Sequence, residues 1–124
     1  MRRKVAFGGT LIFAAALAGC QSSGDTKSVS AGDATRGAQQ FAVVCATCHG
    51  PDGRGVKGLG TDLVSSDTVH KSSDDDLVKL VVEGRDAKDP RNSTGIAMPP
   101  KGGNAALSDK DIRDIVAYLR TISK

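Results

Sequence analysis

CATCH, residues Cys45 to His49, places two thiols three positions apart and an imidazole directly after the second thiol. On a helical turn, residues i and i+3 lie on one face with Cβ atoms about 5 to 6 Å apart, so both thiols can reach one flat partner. The following residue points about 100° further round the helix, toward the centre of that partner. The segment therefore suits a macrocycle that has two reactive edge groups and a metal at its centre.

Pairs of cysteines also occur in three other kinds of site. A redox-active dithiol needs no following histidine and is expected near a βαβ pattern, which this sequence lacks. A closed zinc site needs four ligands, and beyond Cys45, Cys48 and His49 only His70 remains if Cys20 serves another purpose. A structural disulfide suits an exported protein but gives His49 no role. The order C-x-x-C-H is typical of c-type haem attachment, so the sequence favours one covalent haem c with His49 on its iron.

The composition agrees with a cofactor at the centre of a small domain. The chain has 124 residues, of which 39% are hydrophobic and only 3% aromatic, and it has no tryptophan. A single domain of this size buries little apolar surface. A large apolar cofactor would offset the missing aromatic side chains.

The first 19 residues have the features of an export signal peptide. Three basic residues precede an apolar stretch, Val5 to Ala18, that is too short to be a good membrane span. The stretch ends in LAGC, Leu17 to Cys20, which resembles the bacterial lipoprotein signal. That resemblance implies cleavage before Cys20 and a diacylglycerol on its sulfur, and the alternative is ordinary cleavage or a retained anchor. Gln21 in place of Asp after this cysteine resembles the signal for outer-membrane sorting in Gram-negative bacteria.

Removal of residues 1–19 would change the charge balance. The full sequence has 17 Lys and Arg against 14 Asp and Glu, and the signal contains three of the basic residues and none of the acidic ones, which leaves 14 of each. A basic patch is the usual mark of nucleic-acid binding. The sequence therefore gives no support for a nucleic-acid partner.

Residues 20–32 comprise the lipidation site and a tether rich in Ser and Gly, and residues 33–124 form the predicted domain. The domain shows three helical patterns and no convincing alternating strand. Their capping residues are Asp33 for the first helix, Ser73 and Gly84 for the second, and Ser108 for the third. Gly37 inside the first helix costs roughly 1 kcal/mol relative to Ala, so we expect a close crossing with another helix there.

A loop of more than 20 residues separates the second and third helices and needs a reason for its length. Met98 supplies one, because it is the only methionine after the signal and two prolines restrict the backbone that follows it. A lone methionine usually fills a gap in a core. With haem on His49, we favour Met98 as a thioether ligand on the opposite face.

The segments CATCHGPDGRG, GLGTDLV, TGIAMPPKGG and DIVAYL together resemble a class I bacterial cytochrome c over Asp33 to Lys124. The resemblance implies an all-α fold with three main helices around the haem, in which the N- and C-terminal helices cross. It also implies one haem c, thioethers to Cys45 and Cys48, and axial ligands His49 and Met98. The residues implied at the crossing are Gly37 and Phe41 on the first helix, and Ile115 and Tyr118 on the last.

Five further positions carry expectations, and for three of them an alternative stays open. Thr61 stands where many family members have proline, and we expect a carbonyl near Gly60 or Thr61 to accept a hydrogen bond from His49. Arg85 either meets a haem propionate or is a solvated surface residue. His70 lies in a stretch that reads as an exposed loop before a helix cap, so we expect it to be solvated. The alternative is a bis-histidine haem that uses His70 in place of Met98. The residues expected to pack on the haem are Leu59 and Leu63.

An iron bound by imidazole and thioether has no open position for a substrate, and such ligation raises its reduction potential. We therefore expect no catalytic residues and no small-molecule substrate. The expected function is that of a lipid-anchored carrier of single electrons between extracytoplasmic redox proteins, on the periplasmic face of the outer membrane if the host is Gram-negative. The alternatives are a haem sensor or peroxidase-like domain in which Met98 dissociates, and a fixed subunit of a respiratory or dehydrogenase complex.

Several basic side chains are predicted to ring the haem edge, where they would either steer an acidic partner or form a solvated charged face. They are Arg54, Lys57, Lys88, Arg91 and Lys101.

Overall fold

The computed structural model describes residues 31–124. The predicted signal peptide, the lipidation site Cys20 and most of the predicted tether lie outside the described residues. Within residues 31–124, no helix combines the length and apolar character needed to cross a membrane.

The described part of the chain is helical, and its only β-type pairings are two isolated bridges, Val56 with Gly60 and Arg85 with Met98. The predicted all-α class is therefore confirmed. Residues 31–124 contain five α-helices, which are α1 (Ala34–Gln40), α2 (Ala46–His49), α3 (Asp67–Lys71), α4 (Asp74–Glu83) and α5 (Asp109–Ile122). A π-helical turn over Phe41–Cys45 joins α1 to α2, and a 3₁₀ turn covers Pro100–Gly103.

The predicted first helix is interrupted by the π-helical turn. Asp33 is its N-cap, as predicted, and its side chain accepts hydrogen bonds from the backbone N–H groups of Thr35 and Arg36 at 2.9 and 3.1 Å. A π turn widens the helix by one residue, and such turns are frequent at functional sites. The apolar pattern looks the same with or without it, which is why the sequence predicted a plain α-helix.

The crossing of α1 and α5 is confirmed. A Cβ atom built on Gly37 would lie 1.8 Å from the carbonyl oxygen of Asp114, so only glycine allows the two backbones to come this close. One turn beyond Gly37, Phe41 begins the π-helical turn, and the ring centroids of Phe41 and Tyr118 are 5.3 Å apart with planes tilted by 55°. Tilted aromatic pairs at this separation stabilise a contact beyond their area burial. The crossing fixes the direction in which the chain enters CATCH.

A buried carboxylate holds the start of α1 to the same part of α5. The side chain of Asp114 is 1% exposed, and it accepts a hydrogen bond from the backbone N–H of Asp33 at 2.7 Å. It is also paired with Lys110 Nζ at 2.9 Å and Arg36 Nε at 3.3 Å. Burial raises the pKa of Asp114, but the hydrogen bonds from Lys110 and Asp33 and the nearby cations outweigh it, so the pKa lies below the ordinary value. The carboxylate is thus charged and fully paired.

The expectation of a plain loop around His70 is wrong, because residues Asp67–Lys71 form α3. Val69 is 3% exposed and packs in the core, and Lys71 pairs with Asp67 one helical turn away at 2.8 Å. The guanidinium of Arg120 on α5 donates to the backbone carbonyls of Val69 and Ser72. A five-residue helix is too short to show a periodic apolar pattern, and these long-range contacts hold it in place.

One core unites the π-helical turn, α3, α4 and α5 and forms the floor of the site. Its buried hydrophobic residues are Phe41, Val69, Leu77, Val78, Val81, Leu107, Ile112, Ile115, Val116 and Leu119. The predicted caps Ser73 and Ser108 are present, and each accepts a hydrogen bond from the backbone N–H three residues later, at 3.2 Å. Helices α4 and α5 therefore begin where the sequence predicts.

Gly37→Ala tests whether the crossing depends on backbone contact. Alanine normally favours a helix by about 1 kcal/mol over glycine, but here its methyl group would overlap the carbonyl of Asp114. We expect the free energy of unfolding to fall by about 1 to 3 kcal/mol or more, as in other overpacked sites. Denaturant unfolding measures the change, with Gln39→Ala at an exposed position of the same helix as control. A Gly37→Ala protein as stable as the parent would contradict the crossing.

Candidate haem site

A cavity opens between the π-helical turn, α4, α5 and the long loop before the 3₁₀ turn. It encloses about 1120 Å³ of space that no atom of the protein fills, part of it continuous with solvent. Most of its wall is apolar, and Phe41, Leu77 and Leu119 contribute to its floor. The predicted site residues on its lining are Cys45, Cys48, His49, Met98, Leu59 and Leu63. The fold thus brings together six side chains that are up to 53 positions apart in the sequence.

His49 lies at the end of α2 with a fixed ring. Its Nδ1 is 2.8 Å from the carbonyl oxygen of Thr61. Because a carbonyl only accepts, the proton of the neutral ring is on Nδ1, and Nε2 keeps its lone pair. Backbone carbonyls orient metal-binding histidines in this way. The structure identifies Thr61 as the acceptor, one of the two residues that the sequence left open.

The loop after α2 folds back on CATCH to deliver this carbonyl. The N–H of Gly55 donates to the carbonyl of His49 at 2.7 Å, and the N–H of Val56 donates to that of Cys48 at 3.0 Å. A Cβ atom on Gly60 would lie 2.2 Å from the carbonyl oxygen of Cys48. The Thr61 carbonyl thus reaches the His49 ring although position 61 is not proline, because neighbouring glycines let the loop approach the helix.

Cys45 and Cys48 are both free, partly buried thiols. Burial, and to a lesser extent the neighbouring Cys48, raises the pKa of Cys45 to about 11. Redox-active dithiols have lowered thiol pKa values instead. Across residues 31–124, no three His, Cys, Asp or Glu side chains form a group that could hold a metal ion by themselves. The raised pKa keeps the Cys45 thiol protonated, and both cysteines line the same apolar cavity.

Met98 reaches the cavity from a loop that the backbone holds in place. The N–H of Arg85 donates to the carbonyl of Met98, and the N–H of Met98 donates to that of Arg85, both at 2.9 Å. A Cβ atom on Gly84 would lie 2.3 Å from the Met98 carbonyl oxygen. Gly84 also has φ +75°, a backbone conformation that residues other than glycine rarely adopt. The end of α4 and the methionine loop are thus locked together next to the cavity.

The comparisons with known proteins agree with this geometry. Residues 32–119 match the family model described as cytochrome c oxidase, cbb3-type, subunit III. The chain belongs to this cytochrome c family.

Two curated relatives show the range of proteins that carry such a domain. Cytochrome c-554(548) of Halomonas halodenitrificans is 32% identical over 96 residues, which are 71% of this chain and 94% of that protein. The cbb3-type cytochrome c oxidase subunit CcoP of Rubrivivax gelatinosus is 28% identical over 87 residues, which are 70% of this chain. The chain spans only 25% of the length of that subunit.

A solved structure shares the fold. Cytochrome CL from the marine methylotroph Methylophaga aminisulfidivorans superposes with a TM-score of 0.53 at 22% identity, over 70% of this chain and 51% of that one.

The cofactor of this cytochrome family is covalently bound haem c, and the cavity fits it. Two free thiols, an imidazole with an available Nε2 and a thioether all line one apolar space. In addition, two buried nitrogen atoms of Arg85, which also lines the cavity, have no hydrogen-bond partner among the described residues. A site built for a flat apolar molecule with acidic substituents would show this combination.

The remaining residues singled out in the sequence lie elsewhere in the cytochrome. His70 is exposed, is absent from the cavity wall, and pairs through Nε2 with the carbonyl oxygen of Val64 at 2.8 Å. Of the basic residues, Arg91 is paired with Asp89 at 2.9 Å, and hydrogen bonds from Arg91 lower the pKa of Asp89 to about 2. Lys101 Nζ donates to the carbonyl of Leu107 at 2.7 Å.

Asn92 holds the loop that precedes Met98 through hydrogen bonds of its side chain, a role not predicted above. Its side-chain oxygen accepts hydrogen bonds from the N–H groups of Thr94 and Gly95, and its amide donates to the carbonyl of Ile96 at 2.8 Å. Asn92 also lines the cavity. The stretch NSTG is typical of an Asx turn and could have indicated this role.

Gly60→Ala tests the contact that places the Thr61 carbonyl on His49. The added methyl group would overlap the Cys48 carbonyl and push the loop away from α2. We expect less haem c per polypeptide and a lower melting temperature, measured by absorbance of the purified protein and by thermal unfolding. Gly58→Ala is the control, because a Cβ atom at Gly58 meets nothing within 4 Å. Its only cost is the strain of alanine in the left-handed backbone conformation of Gly58, about 1 to 2 kcal/mol. Equal effects of the two substitutions would contradict the prediction.

Proposed function

We propose that this chain is a lipid-anchored, monohaem class I cytochrome c that carries single electrons. In this proposal Cys45 and Cys48 form the thioethers to the haem, and His49 and Met98 are the axial ligands. The observation that carries it is the ring of His49, held by the Thr61 carbonyl with Nε2 available, in a cavity that both thiols and Met98 also line.

Haem c supplies one-electron Fe(III)/Fe(II) chemistry when bound. Two protein ligands, a nitrogen and a thioether sulfur, leave no position for a substrate, and a methionine ligand favours a high reduction potential. His49 is fixed by the Thr61 carbonyl, and Met98 is fixed by its backbone pairing with Arg85. Because both ligands are held by backbone groups, they can keep the same positions in both oxidation states. This rigidity supports electron transfer rather than substrate turnover.

The proposed location rests on the sequence before the domain. LAGC at Leu17 to Cys20 suits lipidation, and Cys20 would carry the acyl chains at the start of a Ser- and Gly-rich tether. Two or more acyl chains hold a protein stably at a membrane. The domain would then meet its redox partners within the plane of the membrane, outside the cytoplasm, and on the periplasmic face of the outer membrane in a Gram-negative host.

A second candidate function is that of a fixed subunit of a larger oxidoreductase. The matching family is described as an oxidase subunit, and the Rubrivivax relative is a subunit of a cbb3-type oxidase. Against it, cytochrome c-554(548) is matched over 94% of its length, so a domain of this size also occurs as a whole protein. Mild detergent extraction of the native protein, followed by size-exclusion chromatography, separates a carrier that elutes alone from a subunit that elutes with companions.

Met98→Ala tests the sixth ligand. Loss of the thioether should give a high-spin ferric spectrum, a lower reduction potential and binding of carbon monoxide by the reduced protein, since a coordination position opens. Visible spectra of the oxidised and reduced proteins report the spin state and the binding of carbon monoxide. A redox titration followed by the same spectra gives the reduction potential. Ile96→Ala is the control, because this residue lies on the same loop and also lines the cavity. An unchanged low-spin spectrum in Met98→Ala would contradict the assignment of Met98.

Cys20→Ala tests the anchor separately from the haem. We expect the variant to lose incorporation of labelled fatty acid and to move from the membrane fraction to the soluble extracytoplasmic fraction, with an unchanged haem spectrum. Cell fractionation followed by haem staining gives the distribution, and a Ser22→Ala protein is the matched control in the same segment. A parent protein that takes up no labelled fatty acid would exclude lipidation at this cysteine.

A further inference from the structure

Arg85 has a buried guanidinium edge without a partner. Its Nε and Nη2 are buried and make no hydrogen bond to any described residue, whereas Nη1 donates to the carbonyl of Arg91 at 3.2 Å. The same side chain lines the haem cavity. These two nitrogen atoms are the only buried side-chain nitrogen or oxygen atoms without a hydrogen bond in the described part of the chain.

A guanidinium in this position requires an anion. Arginine stays protonated in proteins, and burial of a charge without a partner costs several kcal/mol. Burial, together with the nearby Arg91, lowers the pKa of Arg85 from its ordinary value, which shows the same lack of compensation. Nε and one Nη lie on one edge of the guanidinium and form the pair of donors that binds both oxygens of a carboxylate.

The acidic side chains of the neighbouring loop are committed elsewhere. Asp89 binds Arg91 through both of its oxygens, at 3.1 and 2.9 Å. Asp86 accepts a hydrogen bond from the backbone N–H of Lys88 at 2.7 Å. The nearby Asp89 does favour the charged form of Arg85, but it leaves the two buried nitrogen atoms without a hydrogen bond. The missing carboxylate therefore has to come from the occupant of the cavity.

We propose that Arg85 binds a propionate of the haem through Nε and Nη2 and raises the reduction potential of the iron. This inference rests on the proposed function, because it requires haem in this cavity. Haem c is apolar except for its two propionates, so a propionate is the carboxylate that the occupant brings. A buried cation held close to the haem disfavours the ferric state, which carries one more positive charge than the ferrous state.

The backbone explains why Arg85 is well placed for this role. Its N–H and C=O are paired with those of Met98, directly after the glycine that ends α4. The residue that would hold the propionate is thus bound to the residue that would hold the iron. Arg85 acts as a positioning residue that sets the electrostatics of the site.

The test compares Arg85→Gln and Arg85→Lys with Lys88→Gln. Lys88 is exposed and three residues away, so its substitution removes the same charge from the same loop without touching the cavity. Spectroelectrochemical titration at neutral pH gives the midpoint potential of each holoprotein. Resonance Raman spectra of the ferrous proteins report the bending mode of the propionates, which shifts when their hydrogen bonds change.

We expect Arg85→Gln to lower the potential and shift the propionate mode, Arg85→Lys to restore part of the potential because it keeps the charge, and Lys88→Gln to change neither by a comparable amount. If Arg85→Gln keeps its low-spin spectrum but matches Lys88→Gln in both readouts, the inference is wrong while the proposed function stands. A parent protein without a haem adduct, or with a high-spin spectrum, would instead refute the proposed function. If Arg85→Gln does not fold, Arg85→Lys decides, since a propionate mode identical to the parent's would overturn the inference.

Discussion

The close approach of α1 and α5 is the constraint on which the rest of the structure depends. At Gly37 the two backbones lie so near that no Cβ atom fits between them. This contact sets the direction of the π-helical turn that leads into CATCH. It also packs Phe41, which lines the cavity, against Tyr118. The pairing of buried Asp114 with the start of α1 fixes the same crossing from its outer end. The haem site is therefore built on the joined ends of the domain.

Backbone groups, rather than side chains, hold the two residues proposed as axial ligands. The Thr61 carbonyl fixes the ring of His49, and a pair of hydrogen bonds with Arg85 fixes the backbone of Met98. Because a carbonyl belongs to the backbone, Thr61 supplies the acceptor without a contribution from its side chain. Ligands held in this way would keep their positions in both oxidation states, which suits the proposed electron carrier.

The relatives place the same kind of domain in different settings. The matched region makes up 94% of the length of cytochrome c-554(548) and a quarter of the length of an oxidase subunit. The match to both proteins therefore leaves the assembly of this chain open to the experiment proposed above. The proposed setting rests on the predicted lipidation site Cys20 and the predicted tether before the domain.

The sequence by itself determined the parts of this protein that depend on short-range patterns. C-x-x-C-H, the capping residues and the methionine before two prolines each have a local chemical meaning, and the family and its fold follow from them. The tertiary structure decided the rest, including the short helix α3, the π-helical turn, the Thr61 carbonyl and the unpaired edge of Arg85. Each of these depends on groups far apart in the chain, and burial and hydrogen bonding across such distances exist only after the helices have packed.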